Sequence, residues 1–336
     1  MVTRERPTLE AVARRAGVSR ATVSRVVNGS TSVAASIREA VNQAVDELGY
    51  VPNQAARSLV TQRTESIALI VPETASRVFS DDLFFPAIIR GVGAELEAAD
   101  KQLVLMMAGS TKSHDRVERY AVAGHVDGVM FASVHGADPL PGTLAQLGIP
   151  VVCSGRPIGL PSVPYVDVDH FGGVAAAVRH RIASGRRRIA TIAGPSDMVA
   201  GIDRLAGYRA TLAEAGLPQH AVGGDFTRES GIAAMRTLLA EDPALDAVFA
   251  ASDMMAHGAL LALKEAGRRV PQDVAVIGFD DFEISRYSDP PLTTVRQPIV
   301  ESGRTMARQL LGMINGVHGL PDAVVLPTEL VVRESA

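Results

Sequence analysis

The chain has 336 residues, 47% hydrophobic and 21% charged, with no tryptophan and a single cysteine. That length calls for two or three folding units, and the composition excludes disordered, collagen-like and coiled-coil classes. The net charge of −4 hides an asymmetry. Residues 1–63 carry nine arginines against five acidic side chains, whereas the rest carries 24 basic residues against 32 acidic ones, so a small basic head meets a polyanion and an acidic body does something else.

The first ~50 residues read as helices without strands. Thr8 caps a helix over Leu9–Ala16 that Gly17 ends, Ser19 caps a second through Val27, and a third runs from Ala35 to Leu48 before Gly49. Leu9, Val12, Ala13, Ala16, Val18, Val23 and Val26 supply an apolar seam. Ala13 is small where the helices cross, and Gly17 permits a left-handed turn, which is the spacing of a helix-turn-helix. With the second helix in a major groove, Arg20 and Arg25 bond guanine, Ser19 and Thr22 reach phosphate, and Ala21 offers a methyl contact. The stretch after Pro52, AARSLV, is too short to be a stable helix alone.

From Glu65 onward short apolar runs alternate with amphipathic helices. The runs are Ile67–Val71, Leu103–Met107, Val126–Phe131, Val151–Ser154, Ile189–Ala193, Ala247–Ala250 and Val274–Gly278. Helical stretches between them include Ala87–Ala99, Gly173–Ser184, Arg204–Ala215, Ser230–Leu239 and Met254–Ala266, with a last helix near Ile299–Ile314. This pattern predicts an α/β body of doubly wound parallel sheets in two lobes, with a ligand cleft between them at the carboxyl ends of the strands. The expected division is a head over 1–50, a hinge and linker over 51–64, and a body over 65–336. The first lobe takes about 65–160 and 292–322, the second about 161–291 and 323–336.

No catalytic constellation emerges. The eight histidines lack metalloprotease spacing, one cysteine excludes a thiolate zinc cluster, and neither GxSxG nor a P-loop occurs. No metal, cofactor or enzymatic activity is expected, and Gly91-Val-Gly93-Ala lacks the third glycine of a nucleotide fingerprint. Cys153, within Val-Val-Cys-Ser, reads as strand core, and the triplet Arg186-Arg187-Arg188 as a solvated loop. Neither a signal peptide nor a bilayer-length apolar window is present, so a cytoplasmic location without membrane contact is expected.

PTLEAVARRAGVSRATVSRVVNG followed by ELGYVPNQAARSLVTQRT resembles the DNA-binding head and hinge of the LacI/GalR lactose-repressor family. Ala193-Gly194-Pro195, Ser252-Asp253 and Gly278-Phe279-Asp280-Asp281 extend the resemblance along the body, which is most similar to cellobiose- and β-glucoside-responsive repressors. The resemblance implies a periplasmic-binding-protein-like body, a homodimer on a pseudo-palindromic double-stranded operator, and a sugar effector. A purine or other corepressor, or a plain sugar-binding protein, is the alternative.

It also implies roles for residues. Thr8, Ser24 and Asn28 join the DNA-contacting set, and a hinge helix orders on DNA with Leu59 as a minor-groove wedge beside Asn53 and Ala56. The other reading of Leu59 is a linker anchor. Arg204 and Asp280 fall at effector-binding positions and suit a polyhydroxy ligand. Phe84, Phe85 and Phe226 offer apolar faces to sugar C–H groups, with Arg156, Ser252 and Asp253 as further candidates; for Asp253 the other reading is a helix cap. One departure is Ala34, where the family has a serine cap for the third helix, which costs ~1 kcal/mol.

Overall fold

Capping residues delimit the N-terminal helices where the sequence places them. In the computed structural model, which describes residues 7–27, 30, 32–51, 63–79 and 83–336, these are α1 (Leu9–Ala16), α2 (Arg20–Val27) and α3 (Ala35–Leu48). Thr8 Oγ1 accepts from Ala11 N, and Gly17 follows α1 in the left-handed region at φ 68°. Val12, Val23 and Val41, one from each helix, are fully buried together. Ala34 makes no side-chain cap to α3. Ala34→Ser should therefore stabilise the head by about 1 kcal/mol, seen as slower amide exchange in the first turn of α3; unchanged exchange would show that the cap position is already satisfied.

The chain divides into two units, Met1–Thr64 and Glu65–Ala336. The second begins with β1 (Ser66–Val71), α4 (Ala75–Val78), α5 (Phe84–Ala98), β2 (Gln102–Met107), α6 (Thr111–Val122), β3 (Gly128–Phe131), α7 (Leu140–Gln146), β4 (Val151–Ser154) and β5 (Tyr165–Val168). It continues with α8 (His170–Ala183), β6 (Ile189–Ala193), α9 (Val199–Glu214), β7 (His220–Gly223), α10 (Arg228–Glu241), β8 (Ala247–Ala250), α11 (Asp253–Glu265) and β9 (Ala275–Asp280). The end is α12 (Ile284–Tyr287), β10 (Thr293–Arg296), α13 (Ile299–Ile314), β11 (Ala323–Leu326) and β12 (Glu329–Val331).

Two six-stranded sheets result, ordered β11-β5-β4-β3-β1-β2 and β12-β10-β9-β8-β6-β7. All neighbours run parallel except β12, antiparallel to β10. Helices cover both faces, so β1 is apolar and buried from Ile67 to Val71. Ile67, Leu69 and Val71 point into the core under α5 and α13, while Ala68 and Ile70 point into the core under α6 and α7. Cys153 is buried in β4, and burial pushes its thiol up to about 12.

The helix layers close on glycines. A Cβ added at Gly91 in α5 would lie 2.1 Å from the Val300 carbonyl oxygen, and one at Gly303 in α13 would lie 2.5 Å from that of Ile88. In the second lobe α10 and α11 meet likewise through Gly231 and Gly258.

The lobe boundaries differ from the sequence division. Tyr165–Val168 and Ala323–Leu326 belong to the first sheet, and Thr293–Arg296 to the second. The Gly/Pro-rich passage between β4 and β5 joins adjacent strands of one sheet, so the chain crosses one strand later than expected. It passes between lobes three times, at β5–α8, β10–α13 and β11–β12. Asp169 N donates to Leu326 O at 2.9 Å and Thr328 Oγ1 donates to Asp169 O at 3.0 Å, which lashes the first and third passages together.

Candidate functional site

Two surfaces carry the functional candidates. In the head, Thr8, Ser19, Arg20, Ala21 and Arg25 are exposed, while Thr22 and Ser24 are half-buried. Ser19 Oγ accepts from Thr22 N at 3.1 Å and lies 2.9 Å from Thr22 Oγ1, so this pair caps α2 as well as offering hydroxyls. Arg20 Nε lies 3.0 Å from Glu10 Oε1 on the neighbouring helix. Asn28, Asn53, Ala56 and Leu59, and with them most of the expected hinge helix, lie outside the described residues.

In the body, a cavity of about 980 Å³, its open mouth included, lies between the two sheets at the carboxyl ends of their strands. Parallel strands bring loop residues together at that end, which is why residues distant in sequence converge there. Phe84, Phe85, Arg156, Arg204, Phe226, Ser252 and Asp280 all line it.

Its polar wall is a connected chain. Arg204, 4% exposed, donates from Nε to His170 Nδ1 at 3.2 Å and from a terminal nitrogen to Ala251 O at 2.5 Å; that nitrogen is 3.7 Å from Asp280 Oδ1. Because Arg204 can only donate, His170 accepts at Nδ1 and its Nε2–H faces Asp167 Oδ1 at 3.1 Å. Burial, and then the Arg204 charge, hold the His170 pKa down, so the ring is neutral. Burial would raise Asp167, but the His170 contact and backbone amides of Val168 and Arg156 outweigh it and keep it ionised. Asp280 accepts from Gln297 Nε2 at 2.5 Å. It sits at φ 125°, a conformation that costs a non-glycine residue about 1–3 kcal/mol and that clusters at binding sites.

The apolar wall is aromatic. Phe84 meets Phe85 edge to face at 5.5 Å between centroids. Phe85 is only 2% exposed and is shared with the first-lobe core, so its ring chiefly backs Phe84. The Arg204 guanidinium lies 3.7 Å from the Phe279 centroid and 5.5 Å from that of Phe226. Such a site pairs fixed donors and acceptors with flat apolar faces, the combination that a sugar ring satisfies on its edge and its C–H face.

Not every candidate converges. Asp253 is fully buried and is not among the residues lining the cavity. Its carboxylate accepts from Phe282 N, Ser285 Oγ and Thr294 Oγ1 at 2.9, 2.7 and 2.5 Å, pinning the segment after β9 to β10, and burial pushes its pKa up. The cap of α11 is Ser252, whose Oγ accepts from Met255 N. Arg156 reaches across the cleft to Asp203 at 3.1 Å. Asp167, His170 and Gln297 escaped the sequence reading. The first lies within an unrecognised strand, β5, and the other two occupy crossings between lobes, so their meaning appears only when both sheets are in place.

Residues 8–53 match the family of bacterial regulatory proteins, lacI family, and residues 178–336 match a periplasmic binding protein-like domain. The HTH-type transcriptional regulator CelR of Thermobifida fusca is 51% identical over 340 residues, covering 100% of each chain. Catabolite control protein A of Priestia megaterium is 32% identical over 98% of each. A solved CelR–cellobiose complex shares 48% identity at a TM-score of 0.78, covering 98% of this chain and all of that one. The lac repressor dimer bound to operator and the anti-inducer ONPF shares 28% at a TM-score of 0.87, covering 98% and 99%.

Proposed function

The chain is a transcriptional regulator of the LacI family, and from that premise we propose that cellobiose, or a closely similar β-linked glucose disaccharide, is the effector bound between its lobes. The observation that carries this reading is the continuous polar chain Asp167–His170–Arg204–Asp280–Gln297 facing the phenylalanine wall in the cavity between the lobes. A preorganised set of donors and acceptors recognises hydroxyls strongly because a ligand lacking them leaves buried groups unpaired.

In this reading the heads of a homodimer contact the half-sites of a pseudo-palindromic operator, with Arg20 and Arg25 reading bases. Cellobiose favours one arrangement of the lobes, and it controls operator binding only through its differential affinity for the two states. It lowers operator affinity by disfavouring the paired hinges. Calorimetry with cellobiose, glucose and lactose, together with operator binding at fixed salt, tests the proposal. Cellobiose should bind and weaken the operator complex; a protein that holds its operator equally with and without cellobiose would refute it.

The hinge supplies an independent prediction. Leu59→Ala should weaken operator binding by about tenfold or more, since alanine is too small to hold open a base step whose unstacking costs a few kcal/mol, and should leave cellobiose binding unchanged. Wild-type operator affinity would make Leu59 a linker anchor.

A further inference from the structure

A second cluster of ionisable groups sits beside Ser133, Val134 and Met198, which line the cavity, and apart from the chain around Arg204. His135, in the loop after β3, has Nε2 2.9 Å from Glu73 Oε1 and Nδ1 2.9 Å from Asp197 Oδ2. Glu73, which follows β1, belongs to the first lobe with His135. Asp197 lies between β6 and α9 in the second. The backbone repeats the crossing, with Gly136 N donating to Asp197 O at 2.7 Å. Ser133 Oγ, whose residue lines the cavity, donates to Glu73 at 3.0 Å and fixes it. The charged groups facing His135 are thus Glu73 and Asp197, with Arg77 on α4 acting on Glu73.

A neutral imidazole donates from one nitrogen only, so two carboxylate contacts are both satisfied only by the imidazolium. We infer that His135 is a positioning residue for effector binding: as the imidazolium it straps Asp197 of the second lobe to Glu73 of the first, so that closing the lobes over a sugar takes up a proton. The inference rests on the sugar reading of the cavity and adds to it a residue that touches no sugar.

The direction of the pH effect follows. Hydrogen bonding to Glu73, opposed by burial and reinforced by Asp197, raises the His135 pKa to about 9. Opening the lobes removes Asp197 and leaves Glu73, so the open form holds this proton less tightly. The contribution to closure is therefore complete below the open-form pKa and is lost as pH rises through about 9.

Cellobiose titration of the full chain tests this. Between pH 6.5 and 9.5 the affinity should fall about fivefold, the worth of a partly exposed ion pair, with proton uptake on binding near pH 8. His135→Gln, which cannot become charged, should bind about fivefold more weakly at pH 7 with a flat pH profile. Asp197→Asn, which leaves the pair within the first lobe intact, should do the same and serves if the glutamine variant does not fold. Wild-type affinity and pH slope in either folded variant would overturn the strap. The titration of His135, followed by NMR with and without sugar, separates the two readings. If cellobiose does not bind but another sugar that does bind raises the His135 pKa toward 9 in the wild type and not in Asp197→Asn, the cellobiose assignment fails and the strap stands; if cellobiose binds and leaves the His135 pKa unchanged, the strap fails alone.

Discussion

Arg204→Met is expected to weaken cellobiose binding by about a hundredfold or more, since truncating one partner of a buried, hydrogen-bonded charge pair costs roughly 2–5 kcal/mol. Methionine keeps most of the packing on Phe279 but supplies no donor. His170 Nδ1 loses its partner, the Ala251 carbonyl loses a 2.5 Å hydrogen bond, and Asp280 loses the cation 3.7 Å away. Asp280 then either remains ionised in a nearly dry site or takes up a proton, and neither form presents the wild-type arrangement to a sugar. Arg204→Lys separates charge from shape. Lysine restores a positive charge without the planar fork that reaches His170 and Ala251 together, so it should recover only part of the affinity. Calorimetry on both variants, with circular dichroism to establish folding, checks the result, and a folded Arg204→Met protein with wild-type affinity would remove Arg204 from the binding site.

Gly258→Ala should destabilise the body by about 3 kcal/mol, at the upper end of what overpacking usually costs. The new methyl carbon would lie 2.2 Å from the Arg228 carbonyl oxygen and 2.7 Å from Ile232 N. Both are backbone atoms of α10, so relief requires the helices to part. Parting them also moves the start of α11, where Ser252 and Met254 line the cavity, and effector affinity should fall with stability. Gly93→Ala is the control. It too lies within a helix, but the space around it is open, and the substitution should stabilise by about 0.5–1 kcal/mol through helix propensity and chain entropy. Urea unfolding of the two variants reads both effects; equal midpoints would contradict the close approach of α10 and α11.

Local signals made the head legible. Thr8, Gly17, Ser19 and Gly49 act on the turn where each stands, and the observed bounds of α1, α2 and α3 follow them. α13 was equally readable, its apolar stripe being long and its start marked by Pro298. The short strands β5 and β7 were not. Tyr165–Val168 mixes a carboxylate with its apolar residues beside prolines, and His220–Gly223 has two exposed positions of four at a sheet edge.

The same locality explains the site. Arg204 and Asp280 stand in stretches whose neighbours carry a recognisable pattern, whereas His170 and Gln297 acquire partners only through pairing across the cleft. Asp253 was the converse case. A serine and aspartate before a helix look alike on paper, and only burial shows that Ser252 caps the helix while Asp253 braces β10 from within.

Three passages between the sheets also bear on how such proteins can be recombined. A single splice near Thr64 and Glu65 exchanges a whole reader of DNA for another, because the units on either side are each contiguous in the gene. Grafting one half of the sugar receptor onto a paralogue would need three coordinated breakpoints, with β11 and β12 falling on opposite sides of the last. Shuffling between relatives should thus transmit sugar preference as one inherited block while target sequences are traded freely.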